Sequence, residues 1–173
     1  TLETQSGFSV SGGFKFNTQE ATLWLPFRDG KGNTYKKYDE AGFNVTLRYA
    51  PGEKFYQTKN YRIPINFDAP VFSVSQTYVP KGFMGSLNTI NKTELSIKKR
   101  FWFSAFGYTD VILKAGKVWS EVNYPDLLIP NANLSYTIQP ESYTLMNAFE
   151  FANDQYLSWD LTYWANGAIF NRI

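Results

Sequence analysis

The 173 residues carry 17 Lys and Arg against 15 Asp and Glu, a formal charge of +2, and contain no His and no Cys. That balance supplies no cationic field for nucleic acid, and the missing residue types exclude Cys/His zinc sites, His-dependent nucleophiles and disulfide frameworks. The length suits one domain, and no stretch approaches the about eighteen apolar residues of a membrane-spanning helix. Against a polar average stand fifteen Phe, twelve Tyr and five Trp. Strands that put a ring on one face and a polar group on the other explain that pairing.

Period-2 alternation recurs along the chain, whereas no window holds a sustained helical apolar stripe. Phe8, Val10, Gly12, Phe14 and Phe16 alternate with Ser9, Ser11, Gly13 and Lys15. A shorter run, Ala21 to Phe27, ends in the polar glycine-rich stretch Asp29 to Asn33, read as a loop. Phe43, Val45, Leu47 and Tyr49 then face one way and Asn44, Thr46, Arg48 and Ala50 the other, until Pro51-Gly52 breaks the run. Phe55 to Phe67 reads as a further strand, with Tyr61, Ile63, Ile65 and Phe67 in step and Pro64 marking a bulge or rim.

Val71 to Val79 follows between prolines. Leu95, Ile97, Phe101 and Phe103 alternate with Glu94, Ser96, Lys98, Arg100 and Trp102, so the second face carries the charge; Lys99 shares parity with Ile97 and Phe101 and is expected near a rim. Gly107 marks a turn into Asp110 to Trp119, where Gly116 weakens the interior. From Ser120 to Asn147 the pattern dissolves among Pro125, Pro130 and Pro140, an unusually long irregular stretch for a compact domain. The last run sets Leu157, Trp159, Leu161 and Tyr163 against Ser158, Asp160, Thr162 and Trp164.

Alternation alone does not separate a lipid-facing sheet from a soluble sandwich. Runs near the about nine to eleven residues of a tilted membrane strand, with rings gathered at their ends, favour an antiparallel transmembrane β-barrel or a partial barrel of about eight strands. On this reading Phe43, Val45, Leu47, Tyr49, Leu157, Trp159, Leu161 and Tyr163 face lipid or its girdles, and Arg48, Lys98, Arg100 and Asp160 face the lumen.

The segment Asn123-Tyr124-Pro125-Asp126-Leu127-Leu128-Ile129-Pro130-Asn131, then Leu134-Ser135-Tyr136, Gln139 to Tyr143, Met146-Asn147, Glu150-Phe151, Asn153 to Tyr156 and Trp159 to Trp164 with Asn171-Arg172 resembles a Bacteroidota family. Its members pair an N-terminal carboxypeptidase-regulatory-like β-sandwich with a C-terminal outer-membrane β-barrel of unknown function, distantly similar to surface-antigen and BamA-type barrels. The match is specific over 123–172 and extends before that only as strand texture. The resemblance implies an outer-membrane location in a Gram-negative bacterium, no enzymatic activity and no established substrate. It also implies that residues 1–173 are one β-barrel region, incomplete at both ends and without the regulatory-like domain.

The remaining motifs carry less. Asp154 and Asp160, with Glu141 and Glu150 upstream, could in principle serve acid-base hydrolysis, but the two aspartates lie about 20 Å apart on an extended strand. Polar residues facing a wet lumen are the simpler account. Lys92, Lys98, Lys99 and Arg100 suit a lumenal charge ladder or snorkelling better than a site for lipopolysaccharide phosphates. The glycosylation triplets at Asn44, Asn91 and Asn133 are coincidental, and Gly30-Lys31-Gly32 lacks the spacing of a phosphate loop.

The chain is therefore expected to be a non-enzymatic outer-membrane barrel segment acting in transport, assembly or surface interaction, with no cofactor and no metal. Its expected partners are outer-membrane lipid and other outer-membrane proteins. The stretch from Ser120 to Asn147 is the expected functional element. The alternative is a soluble β-sandwich or lipocalin-like module binding glycan or lipid through Trp24, Trp102, Trp119 and Trp164. A segment of a TonB-dependent transporter would require a plug domain that this sequence does not contain.

Overall fold

Most period-2 runs of the sequence become strands of one antiparallel sheet. In the computed structural model, residues 1–4, 6–22, 24, 26–28, 31–58 and 62–167 are described, the side chains of Gln57 and Arg62 excepted. The short β1 (Leu2–Glu3) flanks β2 (Phe8–Glu20), and then come β3 (Phe27–Arg28), β4 (Thr34–Tyr35), β5 (Lys37–Tyr49), β6 (Phe55–Gln57), β7 (Arg62–Pro64), β8 (Val71–Val79), β9 (Ile90–Trp102), β10 (Tyr108–Val118) and β11 (Gln155–Trp164). The main sheet has seven strands in the order β1-β2-β5-β8-β9-β10-β11, every pair antiparallel. The hairpins β3-β4 and β6-β7 stand apart from it.

Register carries the alternation from strand to strand. One row of directly paired residues runs Val10, Leu47, Val74, Leu95, Ala115, Leu157, and the next runs Phe8, Tyr49, Phe72, Ile97, Leu113, Trp159. Because successive residues of a strand point to opposite faces, both rows lie on one face, and Ser, Thr, Asn, Lys and Glu gather on the other. A one-residue slip would have mixed the two sets.

Three expectations change. At the end of the run from Ala21 to Phe27, Phe27 opens the two-residue β3, which pairs with β4; Leu23 and Leu25 of that run lie outside the described residues. Phe55 to Phe67 is not one strand but the hairpin β6-β7, with Pro64 paired to Phe55 at its end; Tyr61 lies outside the described residues. Among the described residues seven strands, not about eight, form the main sheet, and it is open: β1 and β11, at opposite ends of the strand order, do not pair with each other.

The β9-β10 connection is tight. Phe103 N donates to Gly107 O at 2.8 Å around the short 3-10 turn Ser104–Phe106. Gly107 takes φ +100°, and a Cβ there would run into the Trp164 carbonyl of β11, so glycine meets both demands. Lys99 lies just past the point where β8 begins to pair, and its amine reaches the Asp68 carbonyl at 3.4 Å, beyond the end of β8.

Conventional core is scarce. The buried apolar residues Tyr38, Ala41, Val79, Ile90 and Val118 cluster where β5, β8, β9 and β10 meet the long connections, joined there by Phe27 and Leu128, while Ala50 is buried at the other end of β5 against Gly7. By contrast Phe43 is 49% exposed, Leu47 41%, Trp159 81% and Leu161 69%. The apolar face is the open one.

Candidate functional site

The segment from Trp119 to Asp154, between β10 and β11, folds back on itself and lies against the polar face of the sheet. Its two arms are knitted by backbone bonds: Leu128 N to Asn153 O at 2.9 Å and the return bond at 3.0 Å, then Asn133 N to Tyr143 O at 3.0 Å and Tyr143 N to Asn131 O at 2.9 Å. Tyr124 Oη donates to Phe149 O at 2.8 Å and ties the arms again. Bonds of this kind give a long irregular stretch one conformation.

Three anchors hold the segment to the sheet. At the first, the 3-10 turn Tyr124–Asp126 delivers a buried Asp126, whose Oδ2 accepts from Tyr38 Oη at 2.9 Å while Gln19 Nε2 reaches Oδ1 at 3.4 Å. Burial, then the hydrogen bond and charge of the neighbouring Glu40, push the Asp126 carboxyl up to about 7; the Tyr38 bond and the Lys92 charge only partly oppose this. Two carboxyls in one buried pocket cannot both ionise cheaply, and Asp126 is the one that keeps its proton up to about 7.

At the second, Leu128 is buried against Gly116 of β10, over which the Tyr156 ring of β11 also lies. The glycine that weakens a strand in sequence terms is the space into which these two side chains fit.

At the third, Glu141 sits between two lysines of adjacent strands. Oε1 is 2.6 Å from Lys98 Nζ and Oε2 is 2.5 Å from Lys114 Nζ. Burial alone would raise the Glu141 carboxyl, but the bonds from Lys114 and Lys98 outweigh it and hold the group below its ordinary value.

Between the segment and the sheet lies a cleft of about 1250 Å³. Ser73, Ser75, Lys92, Glu94, Lys114 and Asp160 contribute from the sheet, and Leu127, Ile129, Glu141, Tyr143, Met146 and Phe151 from the segment. One wall is hydroxylated and charged, the other mostly apolar.

Phe43, Val45, Leu47 and Tyr49 share one face with Leu157, Trp159, Leu161 and Tyr163, as the pairing rows require, and Arg48, Lys98, Arg100 and Asp160 share the opposite face. The four polar residues do not meet as one group. Arg48 pairs with Glu53 at 2.7 Å, Arg100 holds Asp110 through Nε at 2.6 Å and a second nitrogen at 2.7 Å, Lys98 takes Glu141, and Asp160 accepts from Thr162 at 3.1 Å. Beside Arg100 a row of rings, Trp102, Tyr108 and Trp164, crosses three strands with centroids 4.8 and 6.2 Å apart.

Sequence reading missed Lys114, Gln19, Tyr38, Glu40 and Asp126 as anchoring residues. Lys114 was within reach of it, since its parity opposes Leu113 and Ala115 as that of Lys98 opposes Ile97. The acidic members carried no signal, because their partners lie far off in sequence.

Among the described residues no group of three or more Asp and Glu side chains could hold a metal ion. No helix among them is long and apolar enough to cross a membrane.

The class these features define is an all-β domain built on one open antiparallel sheet, apolar on one face and polar on the other, with an ordered connection folded onto the polar side. The chain belongs to a family of unknown function, DUF5686, whose C-terminal domain matches residues 5–173. No curated protein and no solved structure matches it.

Proposed function

We propose that the sheet is part of the wall of a non-enzymatic outer-membrane β-barrel in a Gram-negative bacterium, with hydrocarbon against the apolar face and water against the polar one. The observation that carries this reading is the unpartnered apolar face: four successive outward residues on β5 and four on β11 are apolar, each set spanning about 20 Å along its strand. Water solvates such a face poorly, and a soluble sandwich would need a second layer over Phe43, Leu47, Trp159 and Leu161, which stay open among the described residues.

The polar boundary supports it too. Next to the aliphatic row, Gln76 donates through Nε2 to Asn91 Oδ1 and accepts at Oε1 from Thr93 Oγ1, both at 2.5 Å, and Trp119 Nε1 donates to Thr93 Oγ1 at 2.9 Å, an arrangement that suits the edge of a hydrocarbon band. Strand edges in hydrocarbon must be paired because each bare backbone group costs several kcal/mol, so the edge of β11, and that of β2 beyond its short pairing with β1, are joints to further strands in the membrane.

On this reading the segment 119–154 is folded into the lumen, and it acts on what passes through or binds there. The test is refolding into lipid vesicles with single-Trp variants. Brominated acyl chains should quench Trp159 strongly and Trp102 weakly. Full solubility without detergent, together with no quenching of Trp159, overturns the reading.

A further inference from the structure

Glu141 stands where its backbone favours another residue. It follows Pro140 in a turn and takes φ +59°, the position of a proline-led turn that glycine or asparagine fills with least strain. What the glutamate gains there is its side-chain contact, since each carboxylate oxygen is taken by a different lysine. Glu141 shares a positive φ with Met84, Ser104, Phe149 and Asn166, and what sets it apart is the paired contact its side chain makes with the sheet.

The two lysines form a seat of defined shape. In the β9-β10 register Lys114 pairs with Ser96 and Lys98 with Ile112, so the lysines are diagonal neighbours on one face. Two ammonium groups held at that spacing repel each other unless an anion lies between them. Ser96 Oγ, beside Lys114 in register, is buried and makes no hydrogen bond, and Ser158 flanks Lys114 from β11. The seat opens into the cleft, where Lys114, Ser96, Ser158 and Glu141 are all lining residues. An unused hydroxyl next to paired cations suits a third contact to an incoming anion.

We propose that Lys98, Lys114 and Ser96 form a binding seat for the carboxylate of a solute entering the cleft, and that Glu141 fills this seat as an internal stand-in which such a carboxylate displaces. Displacement frees the turn around Pro140 from the sheet, so binding and release of the segment tip are one event. The proposal rests on the barrel reading only for the route by which a solute arrives. Asp160, two residues from Ser158 on β11, is the internal competitor for Lys114 once Glu141 leaves.

The test uses the full chain refolded in detergent micelles, with sodium citrate titrated against sodium chloride at matched ionic strength so that screening is equal. Citrate, not chloride, should raise hydrogen exchange across 134–143. Glu141→Gln, which empties the seat, should bind citrate about tenfold more tightly than the parent chain in calorimetry, because an internal competitor lowers apparent affinity by the fraction of open seats. Lys114→Met in the Glu141→Gln background should abolish that gain. Glu141→Gly empties the seat while relieving the turn, and should reproduce the gain if the glutamine variant folds poorly. Equal affinity in the parent chain and both variants, including the case where Asp160 takes over Lys114, overturns the proposal. Trp159 quenching judges the barrel reading separately, since citrate binding is measured without a bilayer.

Discussion

Tyr38 donates its hydroxyl proton to Asp126 at 2.9 Å across 88 residues of chain, fastening the start of the long connection to β5. Asp126 is protonated below its ordinary 3.8 in the folded and unfolded chain alike, and between there and about 7 only the folded protein keeps the proton. The folded state therefore binds more protons in that window, and stability falls as pH rises through it, then levels off. The groups facing Asp126 are Glu40, Tyr38, Gln19 and Lys92. Urea unfolding midpoints should be lower at pH 8 than at pH 5, and Asp126→Asn should flatten that difference. An unchanged slope in Asp126→Asn would show that the titrating group lies elsewhere.

Gly116→Ala should loosen the same connection from a different direction. A Cβ there meets the Tyr156 ring and comes within 3.1 Å of Leu128, so one of the two must shift. Overpacking of this kind costs about 1–3 kcal/mol, and Gly116→Ala should cleave faster with protease between 119 and 154. Adding Tyr156→Ser should restore part of the protection by clearing the ring.

The two faces predict opposite tolerance to charge. Leu47→Arg places a cation in the aliphatic row and should cost about 2–4 kcal/mol when the protein refolds into lipid vesicles. Ser11→Arg, on the polar face one strand away, should stay within about 0.5 kcal/mol. Equal refolding yields for both would contradict the assignment of lipid to the apolar face.

Arg100 cannot be exchanged for lysine without loss. Its guanidinium grips both oxygens of Asp110 and lies 4.0 Å from the Tyr108 ring centroid, a fork and a stack that an ammonium group does not reproduce. Arg100→Lys should lower stability by about 1 kcal/mol and change the near-ultraviolet circular dichroism of the Trp102, Tyr108 and Trp164 row.

Parity is a local property, so the sequence by itself determined which residues share a face. Val45 and Leu47 on β5, and Leu157 to Tyr163 on β11, needed no knowledge of their neighbours, because period 2 is imposed by strand geometry alone. Strand breaks were less secure. Phe55 to Phe67 alternates well enough to pass for one strand, yet it turns back as a hairpin, since alternation records faces and not pairing partners. Only the tertiary structure decided where the stretch between β10 and β11 lands. That Glu141 meets Lys98 43 residues away, and Asp126 meets Tyr38, depends on how a long irregular connection closes over the sheet. Such contacts leave no period in the sequence, because their energy comes from burial and charge gathered across the fold and not from the conformation of neighbouring residues.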